Sequence, residues 1–75
     1  MLPTIAVIGA GTMGEALIKG LLRQSLIEPQ NIIGTDKWME RLESLQAQYG
    51  IRTSEDNAVA AEEASIVFLS VKPQV

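Results

Sequence analysis

The chain of 75 residues carries six lysines and arginines against nine aspartates and glutamates, a net charge of −3, and contains neither cysteine nor histidine. Disulfide staples, thiol nucleophiles, imidazole bases and the commonest zinc ligands are thereby excluded from its chemistry, and no metal site is expected. The length holds one small domain, burying only about 60% of its unfolded surface, and the acidic balance offers no basic stripe for nucleic acid or an anionic membrane.

Met1 to Ala10 is apolar but lacks a basic leading region and breaks into glycines, so it is not a secretory signal. No apolar run approaches the roughly 20 residues of a membrane helix. A cytoplasmic protein without nucleic-acid or membrane partners is the expectation.

Thr4 to Ile8 is a short run rich in β-branched residues, which suits a central parallel strand covered on both faces. It leads into Gly9-Ala10-Gly11-Thr12-Met13-Gly14, after which Met13, Leu17, Gly20 and Leu21 recur at helical spacing; a helix is predicted over roughly Thr12 to Gln24. Ser25 to Gln30, with Pro29, reads as a connection, and Asn31 to Thr35 as a second strand ending at Asp36. Trp38, Leu42, Leu45 and Tyr49 then form an apolar stripe on a second helix, which Gly50 can cap. Ile51 to Thr53 is a candidate third strand. Ser54 could cap an Ala-rich helix through about Glu63, with Asn57 able to delay its start, and Ser65 to Val71 reads as another buried-type strand.

Alternation of apolar strands with helical segments predicts an α/β fold: a Rossmann-like parallel β-α-β sheet with helices on both faces and right-handed crossovers. Lys72-Pro73-Gln74-Val75 stops where such a fold turns into its next helix. The expectation is a sheet truncated after about four strands, with one edge strand and part of a helix face uncovered.

Gly9-x-Gly11-x-x-Gly14 lies between a predicted strand and a predicted helix, the context in which this pattern binds dinucleotides. Gly9 permits the tight turn, Gly11 lets backbone approach a pyrophosphate, and Gly14 lets the helix pack close on the sheet. The Thr12 and Met13 N–H groups would face the anion, aided by the helix dipole. The bland alternative is a glycine turn that binds nothing. Asp36 weighs against it, standing near where the fingerprint places an acid for the adenosine ribose, although an acid there can also cap the following helix. A carboxylate about 4 Å from a 2′-phosphate costs roughly 4 kcal/mol per unit charge at an effective dielectric of about 20, favouring NADH. Lys37 and Arg41, four apart on one predicted helix face near the same place, either attract that phosphate or are solvated surface charges.

Ile8 to Gly14, with Ala16 and Lys19-Gly20-Leu21, resembles the opening of the pyrroline-5-carboxylate reductases, and Phe68-Leu69-Ser70-Val71-Lys72-Pro73-Gln74 resembles their strand-end signature. With Tyr49-Gly50-Ile51 and Asn57 between, the resemblance spans essentially the whole chain, and the Val-Lys-Pro-Gln ending is its most specific part. It implies reduction of 1-pyrroline-5-carboxylate to L-proline by hydride transfer from NADPH or NADH, the last step of proline biosynthesis. The family's cofactor contacts carry over onto Ile8, Gly9, Ala10, Gly11, Thr12 and Met13, onto Asp36 and Asn57, and onto Ser70, Val71, Lys72 and Pro73. Two positions depart from the pattern: Asp36 stands where a small polar residue is common, which bears on NADPH preference, and Ser70 where alanine is common.

Lys72 suits this reading physically, at the carboxyl end of a parallel strand with Pro73 holding it extended; a solvated lysine is the alternative. The resemblance also implies that the imino-acid pocket and the homo-oligomer interface belong to a helical C-terminal domain absent from this chain. No catalytic residue is therefore assigned, and the isolated chain is expected to be inactive. Two other readings compete: the nucleotide-binding half of another reductase or dehydrogenase, such as one acting on β-hydroxy acids, and a non-enzymatic assembly module using the uncovered sheet edge.

Overall fold

Four short strands, three of them apolar and the third in order the polar Arg52-Thr53-Ser54, alternate with helices in the computed structural model, which describes residues 3–69. The elements are β1 (Ile5–Ile8), α1 (Thr12–Arg23), a single 3₁₀ turn (Pro29–Asn31), β2 (Ile32–Thr35), α2 (Met39–Tyr49), β3 (Arg52–Ser54), α3 (Asn57–Glu63) and β4 (Ile66–Leu69). All strand pairs are parallel and the order is β3-β2-β1-β4. β1 is central, with Ile5 opposite Ile32 on one side and Ile66 on the other.

The period of two along the strands divides the core into two layers. Ile5, Val7 and Ile32 join Ile18 of α1, Leu45 of α2, Ala10, Ile27 and Ile51 on one face. Ala6, Ile8 and Ile33 meet Ala60 of α3 on the other. Helices thus cover both faces, α1 and α2 on one and α3 on the opposite. Full burial of Leu45 or Ile18 contributes about 1.5–3 kcal/mol each.

Sequence periodicity misplaces three residues. Met13 is 73% exposed and Gly20 is exposed too, because the face of α1 turned to the sheet is the one carrying Gly14 and Ile18, the residues buried from that helix. Trp38 is the N-cap of α2 with extended backbone, so its side chain leaves the Leu42–Leu45 stripe and is 72% exposed.

The cap of α3 is Asp56 rather than Ser54. One Asp56 oxygen accepts from the Ala58 and Val59 N–H groups at 2.8 and 3.2 Å, while Ser54 Oγ accepts from Asp56 N at 3.1 Å and shapes the approach. β4 has a buried-type sequence yet is exposed along its length, since the helices lie over β1, β2 and β3 and leave this strand at the edge. The predicted continuation of that strand through Val71 lies outside the described residues. Among the described residues no helix is long and apolar enough to cross a membrane.

Two helix ends use left-handed backbone. Gly50 closes α2 at φ +72°, its N–H donating to Gln46 O at 2.9 Å. Ser25 performs the same turn after α1 at φ +55°, with Ser25 N donating to Leu22 O and Leu26 N to Leu21 O, the paired bonds of a Schellman end. A side chain in this region is disfavoured where glycine is not. The two sites should therefore respond with opposite signs: Gly50→Ala is expected to destabilise the chain by about 1 kcal/mol and Ser25→Gly to stabilise it by about 0.5 kcal/mol in chemical denaturation.

Candidate dinucleotide-binding site

Parallel strands place all their carboxyl ends on one edge, and the residues singled out from sequence that lie within the described part of the chain are found there. The glycine loop follows β1, Asp36 follows β2, and Asn57 opens α3 just after β3. The sheet order reverses at β1: β2 and β3 lie to one side and β4 to the other, making a topological switch point at the glycine loop, the place where open α/β sheets bind ligands.

The loop is held from β2. Gly9 turns the chain at φ +76°, and its N–H donates to the Thr35 hydroxyl at 3.0 Å. Ala10 N donates to the Thr35 carbonyl at 2.6 Å, and Gly11 N to Gly9 O at 2.7 Å. Thr35 is fully buried, so these bonds form out of water. Gly34, next to it, lets the layers close: a Cβ there would stand 3.2 Å from Ile51 Cδ1 and 3.6 Å from Ala10 Cβ.

Helix α1 begins with Gly11 as an N-cap whose side chain supplies no acceptor, and the Thr12 and Met13 N–H groups have no carbonyl one turn back within the helix. A Cβ built on Gly11 would meet nothing within 4 Å. The glycine is thus not required by packing inside the chain; the space it leaves lies outside the protein, at a helix N-terminus suited to an anion. These residues fit a dinucleotide pyrophosphate.

Asp36 is half-buried, and its Oδ1 accepts from Trp38 N at 3.1 Å, so it braces the entry to α2 while its other oxygen has no protein partner among the described residues. Arg41 is neither a solvated charge nor an uncommitted cation. Its Nη2 lies 2.5 Å from Glu15 Oε1 and its Nε donates to Ala10 O at 3.3 Å, tying α2 to the glycine loop. Tyr49 OH donates to the second Glu15 oxygen at 2.5 Å. Lys37 precedes α2 and is exposed, so it does not share a helix face with Arg41. Thr35, Glu15 and Tyr49 were not among the sequence candidates; the polar Thr35 ending an apolar strand, and Arg41 and Tyr49 falling on the Leu45 face of α2, were the signals available. Asn57 is exposed on the ligand edge, while Ser70, Val71, Lys72 and Pro73 lie outside the described residues.

Fold and loop together define a Rossmann-like unit of the dinucleotide-binding class. Residues 4–75 match the family described as NADP oxidoreductase coenzyme F420-dependent, and the chain belongs to that family of oxidoreductases. It is 51% identical over 71 residues to a pyrroline-5-carboxylate reductase of Corynebacterium melassecola, a match covering 95% of this chain and 26% of that protein. A pyrroline-5-carboxylate reductase of Methanosarcina acetivorans is 47% identical over 70 residues, covering 93% and 26%. Among solved structures, a pyrroline-5-carboxylate reductase from Coxiella burnetii superimposes with a TM-score of 0.87 at 31% identity, over 95% of this chain and 26% of that one. The homologues are pyrroline-5-carboxylate reductases, as the sequence resemblance implied, and the chain spans 26% of the length of these relatives.

The Tyr49 hydroxyl, and after it the Arg41 guanidinium, hold the Glu15 carboxyl below its ordinary 4.5, and the same bond to Glu15 pushes the Tyr49 phenol above 10.0. The lowered carboxyl contributes stability that is present above pH 4.5 and lost as pH falls through the folded value. The raised phenol contributes stability that is present below pH 10.0 and lost as pH rises through its folded value. Thermal melts across the acid range should show a stability gap between the wild type and Glu15→Gln that is constant above pH 4.5 and shrinks below it.

Proposed function

We propose that this chain is the cofactor-binding part of a pyrroline-5-carboxylate reductase, which reduces 1-pyrroline-5-carboxylate to L-proline at the expense of a reduced nicotinamide. The observation that carries the reading is the glycine loop pinned to Thr35, with open space at Gly11 and the helix N-terminus beside it. The nicotinamide, when bound, supplies the hydride. The residues of this chain orient it: Ile8 to Met13 receive the pyrophosphate, Asp36 the adenosine ribose, and Asn57 and Ser70 to Pro73 supply the further cofactor contacts that the family resemblance implies. The imino-acid pocket and a dimer interface are assigned to a helical C-terminal domain, in keeping with the 26% of the relatives' length that this chain covers. The protein is assigned to the cytoplasm.

Between the two cofactors we favour NADH, although the family's description mentions NADP. The sequence left Arg41 available to a 2′-phosphate; its two bonds, to Glu15 and to Ala10 O, now argue against that use. Asp36 keeps one carboxylate oxygen for the ribose hydroxyls, and a 2′-phosphate would meet that charge directly.

Trp38, the only tryptophan, follows Asp36 closely enough to report binding by energy transfer to the reduced nicotinamide. In titrations of the chain, NADH should bind at least about tenfold more tightly than NADPH, the order of one partly screened charge contact. Asp36→Ser should narrow that ratio. Gly11→Asp, confirmed folded by circular dichroism, should weaken both ligands by about a hundredfold or more, since it sets a side chain and a charge where the pyrophosphate sits. Binding of neither cofactor by the folded wild type would refute the reading, and tighter NADPH binding would refute the assignment of Asp36.

A further inference from the structure

Glu15 presents a difficulty for a diphosphate site. It lies in the first turn of α1, the helix whose N-terminus faces the ligand, and an unpaired carboxylate there would compete with the pyrophosphate for the same positive end of the dipole. The structure answers with three groups. Arg41 Nη2 meets one carboxylate oxygen, Tyr49 OH donates to the other, and Lys19 lies near enough to be felt electrostatically. Arg41 is itself fixed by its Nε bond to Ala10 O, inside the glycine loop. The pair is not a loose surface bridge: its side chains are 32% and 22% exposed, against 48% and 47% for the Arg52–Glu63 pair between β3 and α3.

We propose that Arg41 is a positioning residue that neutralises Glu15 beside the glycine loop, so that the first turn of α1 can accept the diphosphate of either nicotinamide cofactor. The proposal rests on the dinucleotide-binding reading above but assigns Arg41 a role independent of the 2′-phosphate. Its signature is charge, not shape, and it acts on the half of the ligand that NADH and NADPH share.

The test is a mutant cycle read as dissociation constants for NADH and NADPH by equilibrium titration. Arg41→Gln should weaken both by the same factor, about tenfold, as expected for one uncompensated charge near an anion at a partly wet surface. Glu15→Gln alone should change either constant by less than about threefold, and Arg41→Gln combined with Glu15→Gln should return to that range. The loss in Arg41→Gln should also shrink as salt is raised. Arg52→Gln is the control for a surface ion pair and should leave both constants unchanged.

A loss confined to NADPH would make Arg41 a direct phosphate ligand and overturn the proposal, as would an equal loss that Glu15→Gln fails to rescue. Should Arg41→Gln not fold, Arg41→Lys keeps the charge and is expected to retain wild-type affinity for both cofactors; a tenfold loss on both would overturn the proposal. Wild type that binds neither cofactor overturns the dinucleotide reading itself and this inference with it, whereas wild type that binds normally alongside an unaffected Arg41→Gln overturns this inference alone.

Discussion

The parallel pairing of β1 with β2 is the constraint on which the site depends. It sets Gly34 opposite Val7 and brings Thr35, buried at the end of β2, level with the turn after Ile8. From there one residue fixes the loop twice, its hydroxyl taking the Gly9 N–H and its carbonyl the Ala10 N–H. A slip of one position in that register would turn Thr35 to the other face and release both bonds. The glycine loop is therefore not shaped by its glycines alone. They permit the turn, and the neighbouring strand selects it.

Charge is distributed along the same edge with some economy. Three acidic groups of the region have a defined partner: Asp36 takes the Trp38 amide, Glu15 takes Arg41 and Tyr49, and Asp56 takes the first amides of α3. Among the described residues the first turn of α1, like that of α2, has no side-chain acceptor at its cap, and at α1 that turn opens beside the glycine loop. The result is an edge on which these three carboxylates are held in place around the glycine loop, inside a chain whose net charge is −3.

Much of this was legible in the sequence, for identifiable reasons. Element type and order followed from β-branched runs and helical spacing, and the end of α2 followed from Gly50, whose backbone conformation is one that few other residues adopt. The two-layer core was legible because Ile5-Ala6-Val7-Ile8 must alternate faces. Trp38, Met13 and Gly20 were misread because periodicity alone does not say where a helix starts or which of two adjacent faces it turns to the sheet. Asp56 won the cap over Ser54 because its carboxylate reaches two amides at once. β4 looked buried because hydrophobicity records what a strand is suited to, whereas exposure records what lies over it among these residues. Arg41, Glu15 and Tyr49 come together only through the packing of α1 against α2, across 26 and 34 positions of sequence, and no local pattern announces such a meeting.

The strand order also carries a consequence for how the site comes into being. Among the described residues β1 is the first strand and lies inside the sheet, and its second ladder is closed by β4, the last of them, Ile8 lying opposite Leu69. During synthesis the glycine loop can acquire its brace from Thr35 once β2 has emerged, but its far flank waits for a partner about sixty positions downstream, a late and entropically costly closure. The binding edge is thus assembled from one side first. Until β4 arrives, a nascent chain would carry a loop already bent for a ligand beside a strand with one open edge, the arrangement in which a cofactor or a chaperone has most to gain by arriving early.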